Sequence, residues 1–218
     1  MISLILCREG ELSKDARGLV DRARELGIPV LVESEREMRR MSSGEKTREV
    51  VALAGAPPDA RLDELMRRKG LVFILVGLRY PGNVGFILRS AEVAGAAGVV
   101  LDNDWEGSQF SEAMRVGMRA DRFFPVIESE AEAAIAAARR AGRRIVALET
   151  TRSKAPWNTD LESPTAVVVG SETTGISNAI LESVDDVIEI PMRGFIPSYN
   201  VQAAVGMLLG EWLRQTLE

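Results

Sequence analysis

The chain has 218 residues, 46% of them hydrophobic, with one cysteine and no histidine. That apolar content suits one large or two small globular domains and excludes overall disorder. Asp and Glu number 32 against 27 Lys and Arg, and the resulting formal charge of −5 excludes a uniformly basic nucleic-acid binder.

No apolar run reaches the ~18 residues needed to span a bilayer, and the first ten residues lack a signal pattern, so the cytoplasm is the expected compartment with no membrane partner. The lack of histidine removes the commonest general base and metal ligand, and no Cys, Asp or Glu cluster has the spacing of a closed metal site, so no metal is expected. Cys7 has no internal disulfide partner and reads as a packing residue of a short strand. Charge is uneven. Residues 1–70 hold 14 basic against 13 acidic side chains and residues 71–218 hold 13 against 19, giving +1 and −6.

In chain order, Ile2–Leu6 reads as a strand and Ser13–Leu26 as a helix capped by Ser13. After Gly27 come a strand at Pro29–Val32, a polar helix near Ser34–Arg40 and a strand near Val50–Leu53. This is a small α/β unit, assigned to residues 1–56. The stretch Ala54-Gly55-Ala56-Pro57-Pro58 breaks all periodicity, and residues 57–70 read as a linker with a short amphipathic helix at Leu62–Arg68. From residue 71 the pattern changes. The run Leu71–Val76 is continuously apolar, as are Gly98–Leu101, Phe123–Ile127, Arg144–Leu148, Thr165–Gly170 and Val187–Ile190, and helices such as Ala131–Ala141 separate them. Buried strands alternating with helices predict a largely parallel α/β sheet over 71–218. The last helix, about Asn200–Leu217, places Val201, Ala204, Val205, Leu208 and Trp212 on one face. Gly206 and Gly210, four apart, hint weakly at a dimer.

Three strand-to-helix loops carry the polar residues, and open α/β sheets bind ligands at the carboxyl ends of their strands. The first is Arg79–Gly85, leading into a helix with Arg89. Gly85, one turn earlier, leaves the approach to that guanidinium clear. The second, Val169–Ser177, offers Gly170 and Gly175 for close backbone approach and Glu172 as an acceptor, with Ser177 as a possible N-cap. It lacks the Gly-Lys-Ser/Thr of a triphosphate loop, and no GxGxxG follows a strand. In the third, Ile190–Val201, Ser198 taken alone reads as the cap of the last helix.

In order and content these loops resemble the three motifs of the SpoU family of RNA 2′-O-ribose methyltransferases, within the SPOUT superfamily. Asn83-Val84-Gly85 with Arg89 is similar to the first motif. Gly170–Ser177 is similar to the second, and Ile190-Pro191-Met192 with Ser198-Tyr199-Asn200-Val201 to the third. Tyr199 and Gln202 stand where the third motif usually carries leucine and serine. The resemblance covers residues 71–217 and implies a C-terminal trefoil knot, S-adenosylmethionine as cofactor, and a homodimer completing each active site. By position it implies that Leu148, Gly170, Ile190, Met192 and Tyr199 line the cofactor pocket. It makes Arg89 catalytic, with Asn83, Glu172, Ser198 and Asn200 orienting it, the cofactor or the ribose. The N-terminal unit resembles a ribosomal-protein-like RNA-recognition domain. In that context Arg36, Arg39, Arg40, Arg67, Arg68 and Lys69 are candidate phosphate contacts for structured RNA, tRNA or rRNA. The alternative is a non-catalytic RNA-binding protein that keeps the fold, and cofactor binding separates the two.

Overall fold

The computed structural model describes residues 2–41, 48–54, 58–151 and 153–217, and the chain divides into two compact units, Met1–Pro57 and Pro58–Glu218. In the first, β1 (Ile2–Arg8) lies between β2 (Val30–Glu33), which is parallel to it, and β3 (Val50–Ala54), which is antiparallel. Ser13 caps α1 (Lys14–Glu25), its hydroxyl accepting from the Ala16 N–H at 3.3 Å, and α1 packs Val20 and Ala23 against Ile5 and Cys7. Burial pushes the Cys7 thiol pKa up, as suits a packing residue. α2 (Glu35–Met41) follows β2. Gly55, Ala56 and Pro57, part of the expected linker, lie outside the described residues.

The second unit begins with α3 (Leu62–Met66), whose Leu65 and Met66 are fully buried. Its sheet has six strands, all parallel: β4 (Val72–Val76), β5 (Gly98–Asp102), β6 (Val126–Glu128), β7 (Arg144–Leu148), β8 (Thr165–Val169) and β9 (Asp186–Ile188). The order is β6-β5-β4-β8-β7-β9. Alternate residues feed two cores. Phe73, Leu75, Val146, Leu148, Val167 and Val169 face α4 (Pro81–Val93), α5 (Gln109–Val116) and α8 (Val201–Thr216). Val72, Ile74, Ile145, Ala147, Ala166 and Val168 face α3, α6 (Ala131–Arg140) and α7 (Asn178–Leu181). Covering on both faces explains why the strands read as unbroken apolar runs. No helix among the described residues is long and apolar enough to cross a membrane.

Two expected strands are shorter than the sequence suggests. β6 starts at Val126 because Pro125 has no N–H to give a ladder, and Phe123 closes a 3-10 turn at Ala120–Arg122 instead. β9 ends at Ile188, before Pro191. The first-loop residues Pro81–Gly85 lie inside α4, with Pro81 in its first turn, where a missing N–H costs nothing.

Arg143 ties the start of the unit to the sheet. Its side chain is 4% exposed. Its Nε donates to the Met66 carbonyl at 2.7 Å, Nη1 to those of Gly70 at 2.8 Å and Thr165 at 3.1 Å, and Nη2 to that of Arg68. Burial pushes its pKa below the ordinary arginine value.

Candidate functional site

The carboxyl ends of β7, β8 and β9 open into a cavity of about 630 Å³, closed on its far side by the start of α8. Of the residues expected to hold a cofactor, Leu148, Gly170, Ile190 and Tyr199 line it, whereas Met192 does not. Glu172, Ser198 and Asn200 also line it. The other wall is the turn 170–176. The Gly175 N–H donates to the Ser171 carbonyl at 2.9 Å, so the turn folds back on its own start. A methyl group on Gly170 would sit 2.4 Å from the Gly175 carbonyl carbon. Glycine is required there by close backbone approach.

The three loops meet at Asn83. Glu172 Oε1 accepts from Asn83 Nδ2 at 2.5 Å, and Oε2 accepts from the Arg79 N–H at 3.4 Å. Asn83 Oδ1 in turn accepts from Asn200 Nδ2 at 3.2 Å. Asn83 is 7% exposed, and being within α4 it spends its amide on the neighbouring loops and not on capping its own helix. Asn200, the residue after Tyr199, has its remaining oxygen on the Gln202 N–H at 2.9 Å and is the N-cap of α8. Residues from three separate stretches of sequence are thereby locked into one chain of hydrogen bonds, Glu172 to Asn83 to Asn200.

Two sequence-based readings change here. Ser198 does not cap the last helix. Asn200 does, two residues later, which leaves the Ser198 side chain exposed at the cavity. Gly85 serves packing and not access to Arg89, because a methyl group there would come within 2.6 Å of both the Ala113 carbonyl and Val116 Cβ on α5. Ser177 is the N-cap of α7, its hydroxyl accepting from the Ile180 N–H at 3.4 Å.

Arg89 is exposed on α4 and is not among the cavity-lining residues. It follows Asn83 by six positions, which places it about 9 Å further along the helix and on a different side. Arg36 and Arg39 stand exposed on α2, with Arg39 paired to Glu35 at 2.9 Å. The Arg40 side chain lies outside the described residues. After α3, Arg67 and Lys69 are exposed and Arg68 is half-buried.

Glu149, Thr150 and Thr151 line the cavity as well. In the sequence only their position marks them, immediately after the carboxyl end of an apolar strand. Among the described residues no Lys or Arg lines the cavity, and Glu149 and Glu172 both do. The cleft therefore favours neutral or cationic ligands over nucleotide phosphates.

A six-stranded parallel sheet with a cleft at its carboxyl edge, walled by glycine turns, defines an α/β ligand-binding protein of the open-sheet class. The sequence profile of the SpoU rRNA Methylase family matches residues 70–210, and the chain belongs to that family. A 23S rRNA (guanosine-2′-O-)-methyltransferase, RlmB of Haemophilus influenzae, is 29% identical over 216 residues, covering 96% of this chain and 88% of that protein. A 23S rRNA (adenosine(1067)-2′-O)-methyltransferase of Streptomyces azureus is 30% identical over 205 residues, covering 91% of this chain and 75% of that protein. Among solved structures, the SpoU methyltransferase AviRb from Streptomyces viridochromogenes, in complex with AdoMet, aligns with a TM-score of 0.63 at 25% identity, covering 100% of this chain and 84% of that one.

Proposed function

We propose that this chain is an S-adenosylmethionine-dependent methyltransferase that methylates a ribose 2′-hydroxyl of ribosomal RNA. The observation that carries the reading is the hydrogen-bonded series Glu172–Asn83–Asn200 at the edge of the cleft. A protein that had kept only the fold for RNA binding would have no need of these three residues in one arrangement, and this favours the enzyme over the non-catalytic alternative. Two of the relatives bear names of 23S rRNA 2′-O-methyltransferases, which favours rRNA over tRNA.

The cleft suits the cofactor. Its volume of about 630 Å³ lies in the range of small-molecule sites. Among the described residues its lining has no cationic group to repel a sulfonium. Gly170 bears no side chain, and with Leu148 and Ile190 it would hold the cofactor chiefly through backbone groups. When bound, S-adenosylmethionine supplies a methyl group already activated for transfer, so the protein's work is chiefly alignment.

Glu172, held by Asn83, fixes the wall facing the acceptor, and Asn200 and Ser198 present polar atoms at the same edge. The ribose oxygen must lose its proton. A guanidinium is a poor base, so Arg89 acts by meeting the RNA phosphate and stabilising the developing alkoxide while the proton passes to solvent. Since Arg89 does not line its own chain's cleft, the reading includes a homodimer in which a second copy completes each site. Arg36, Arg39, Arg40, Arg67, Arg68 and Lys69 supply phosphate contacts, and the exposed Arg39–Glu35 pair costs little to exchange for one. The cytoplasm, where such RNA resides, is the compartment this reading assigns.

The test is transfer of labelled methyl from S-adenosylmethionine to purified rRNA and tRNA pools, followed by nucleoside digestion. A 2′-O-methyl nucleoside from rRNA is expected; methylation of tRNA alone overturns the substrate, and methylation of a base overturns the reaction. Arg89→Ala should abolish turnover with cofactor affinity within about twofold of wild type, whereas retained turnover removes Arg89 from the site. Sedimentation velocity should give a dimer.

A further inference from the structure

The turn 170–176 has to hold its shape without a helix or strand of its own, and two carboxylates grip it from opposite ends. Glu172, within the turn, reaches out to α4. Glu149, outside the turn, reaches in. Its own N–H donates to the Ile188 carbonyl at 3.0 Å, so its backbone is fixed to β9. The pairing of Leu148 with Val169 brings the ends of β7 and β8 side by side. From there Glu149 Oε2 accepts from the Ile176 N–H at 3.0 Å, and Oε1 accepts from the N–H of Thr150 at 2.9 Å and its hydroxyl at 3.3 Å.

The reach is possible because of the residue beside it. Gly175 has φ +65°, and a methyl group there would sit 2.8 Å from Glu149 Oε2. Glycine is needed at 175 both for the left-handed backbone and for the carboxylate that rests against it. Among the described residues, the Glu149–Ile176 bond is, apart from the bonds of Glu172, the side-chain hydrogen bond that joins this turn to another part of the unit. Without it the far end of the turn would keep only its internal bonds and the packing of Ile176.

We infer that Glu149 is a positioning residue for the cofactor: it sets the wall of the cleft formed by Gly170–Ile176 and so governs cofactor affinity, while Glu172 and Asn83 govern the acceptor side. This rests on the methyltransferase reading. The division of labour between two carboxylates at opposite ends of one turn is what separates it from a general structural role.

The experiment uses the full chain, with S-adenosylmethionine binding measured by titration calorimetry and methyl transfer to rRNA measured in single turnovers. In Glu149→Ala the Kd for S-adenosylmethionine rises on the order of 30-fold. Glu149→Gln keeps one oxygen for Ile176 but turns an amide against the Thr150 N–H, and its Kd rises roughly fivefold. With cofactor saturating, the single-turnover rate of both recovers to within about threefold of wild type, whereas Glu172→Ala stays slow under the same conditions. Thermal melts confirm that each variant is folded, and if the alanine variant is not, the glutamine variant decides. A Kd within about twofold of wild type in a folded variant overturns the inference, as does a slow saturated rate with unchanged Kd. If the wild-type chain does not bind S-adenosylmethionine, the methyltransferase reading falls with it; if it binds and transfers while the variants match it, the inference alone falls.

Discussion

Asn83 is the joint between the three loops, and its truncation gives the most discriminating test of the site. In Asn83→Ala two hydrogen bonds vanish, the 2.5 Å bond to Glu172 and the 3.2 Å bond from Asn200. A bond to a charged partner contributes about 1.5–3 kcal/mol and a neutral one about 0.5–1.5 kcal/mol. Glu172 is exposed and water can replace part of its lost partner, so the lower ends apply, about 2 kcal/mol together. That corresponds to a roughly 30-fold fall in kcat/KM for RNA methylation. The fold should persist, because alanine is a better helix former than asparagine and offsets part of the cost inside α4. Single-turnover methyl transfer reads the loss, and a thermal melt checks that it is not unfolding. A double-mutant cycle with Glu172→Ala isolates the pair, whose coupling should be at least about 1 kcal/mol. Rates within twofold of wild type in Asn83→Ala, or additive effects in the cycle, would refute the assignment of the network to catalysis.

Gly170→Ala should weaken S-adenosylmethionine binding at least about tenfold in a folded protein, because the new methyl group meets backbone at 2.4 Å and the turn must move; calorimetry reads this, and unchanged affinity would show that the turn is not a wall of the cofactor site. Arg143→Met should leave the carbonyls of Met66, Gly70, Thr165 and Arg68 without their donor. At about 1–3 kcal/mol for each buried unsatisfied group, with partial relaxation, a loss near 4 kcal/mol lowers Tm by about 10 °C. The hydrogen bonds of Glu211 to Arg214 and Gln215 pull its carboxyl pKa down to about 2. A depressed folded-state value stabilises the protein fully above about pH 4.5 and loses that contribution as pH falls through about 2. Arg214 is exposed whereas the Glu211 carboxylate is largely covered, so Glu211→Gln should cost on the order of 1 kcal/mol at pH 7 and little near pH 2, by melts across that range.

What was legible in the sequence is what local chemistry dictates. Runs such as Leu71–Val76 and Thr165–Gly170 state that both faces are covered, and the alternation with helices then requires a parallel sheet. Cap residues are harder, because Ser198 and Asn200 are both good N-caps and the choice depends on where the incoming loop turns. The structure chooses Asn200, whose Oδ1 is on the Gln202 N–H. Gly85 shows the opposite difficulty. Its side-chain-free face is explained by α5, thirty residues on, and by nothing next to it in sequence. Arg143 and Arg144 are adjacent and identical in type, yet one is buried among carbonyls and the other is partly exposed and paired to Asp186 at 3.5 Å; strand alternation decides between them only once the end of β7 is known.

Glu149 belongs to the same class of hidden information. Its carboxylate matters because β7 and β8, separated by the stretch from Glu149 to Pro164, end in register side by side. Sequence motifs mark residues whose type the local geometry requires, as at Gly170, where a methyl group would meet backbone at 2.4 Å. They do not mark a residue whose task is to hold another loop's N–H. A structure that brings two strand ends together makes such a residue visible through its hydrogen bonds, and the cleft shows two of them, with Glu149 and Glu172 taking opposite ends of one turn. Each carboxylate fixes backbone that side chains alone would leave free; the glycine at 175 makes the space for Glu149, and the glycine at 170 lets the two ends of the turn approach. On the proposed reading, the same turn holds the cofactor on one side and the acceptor on the other.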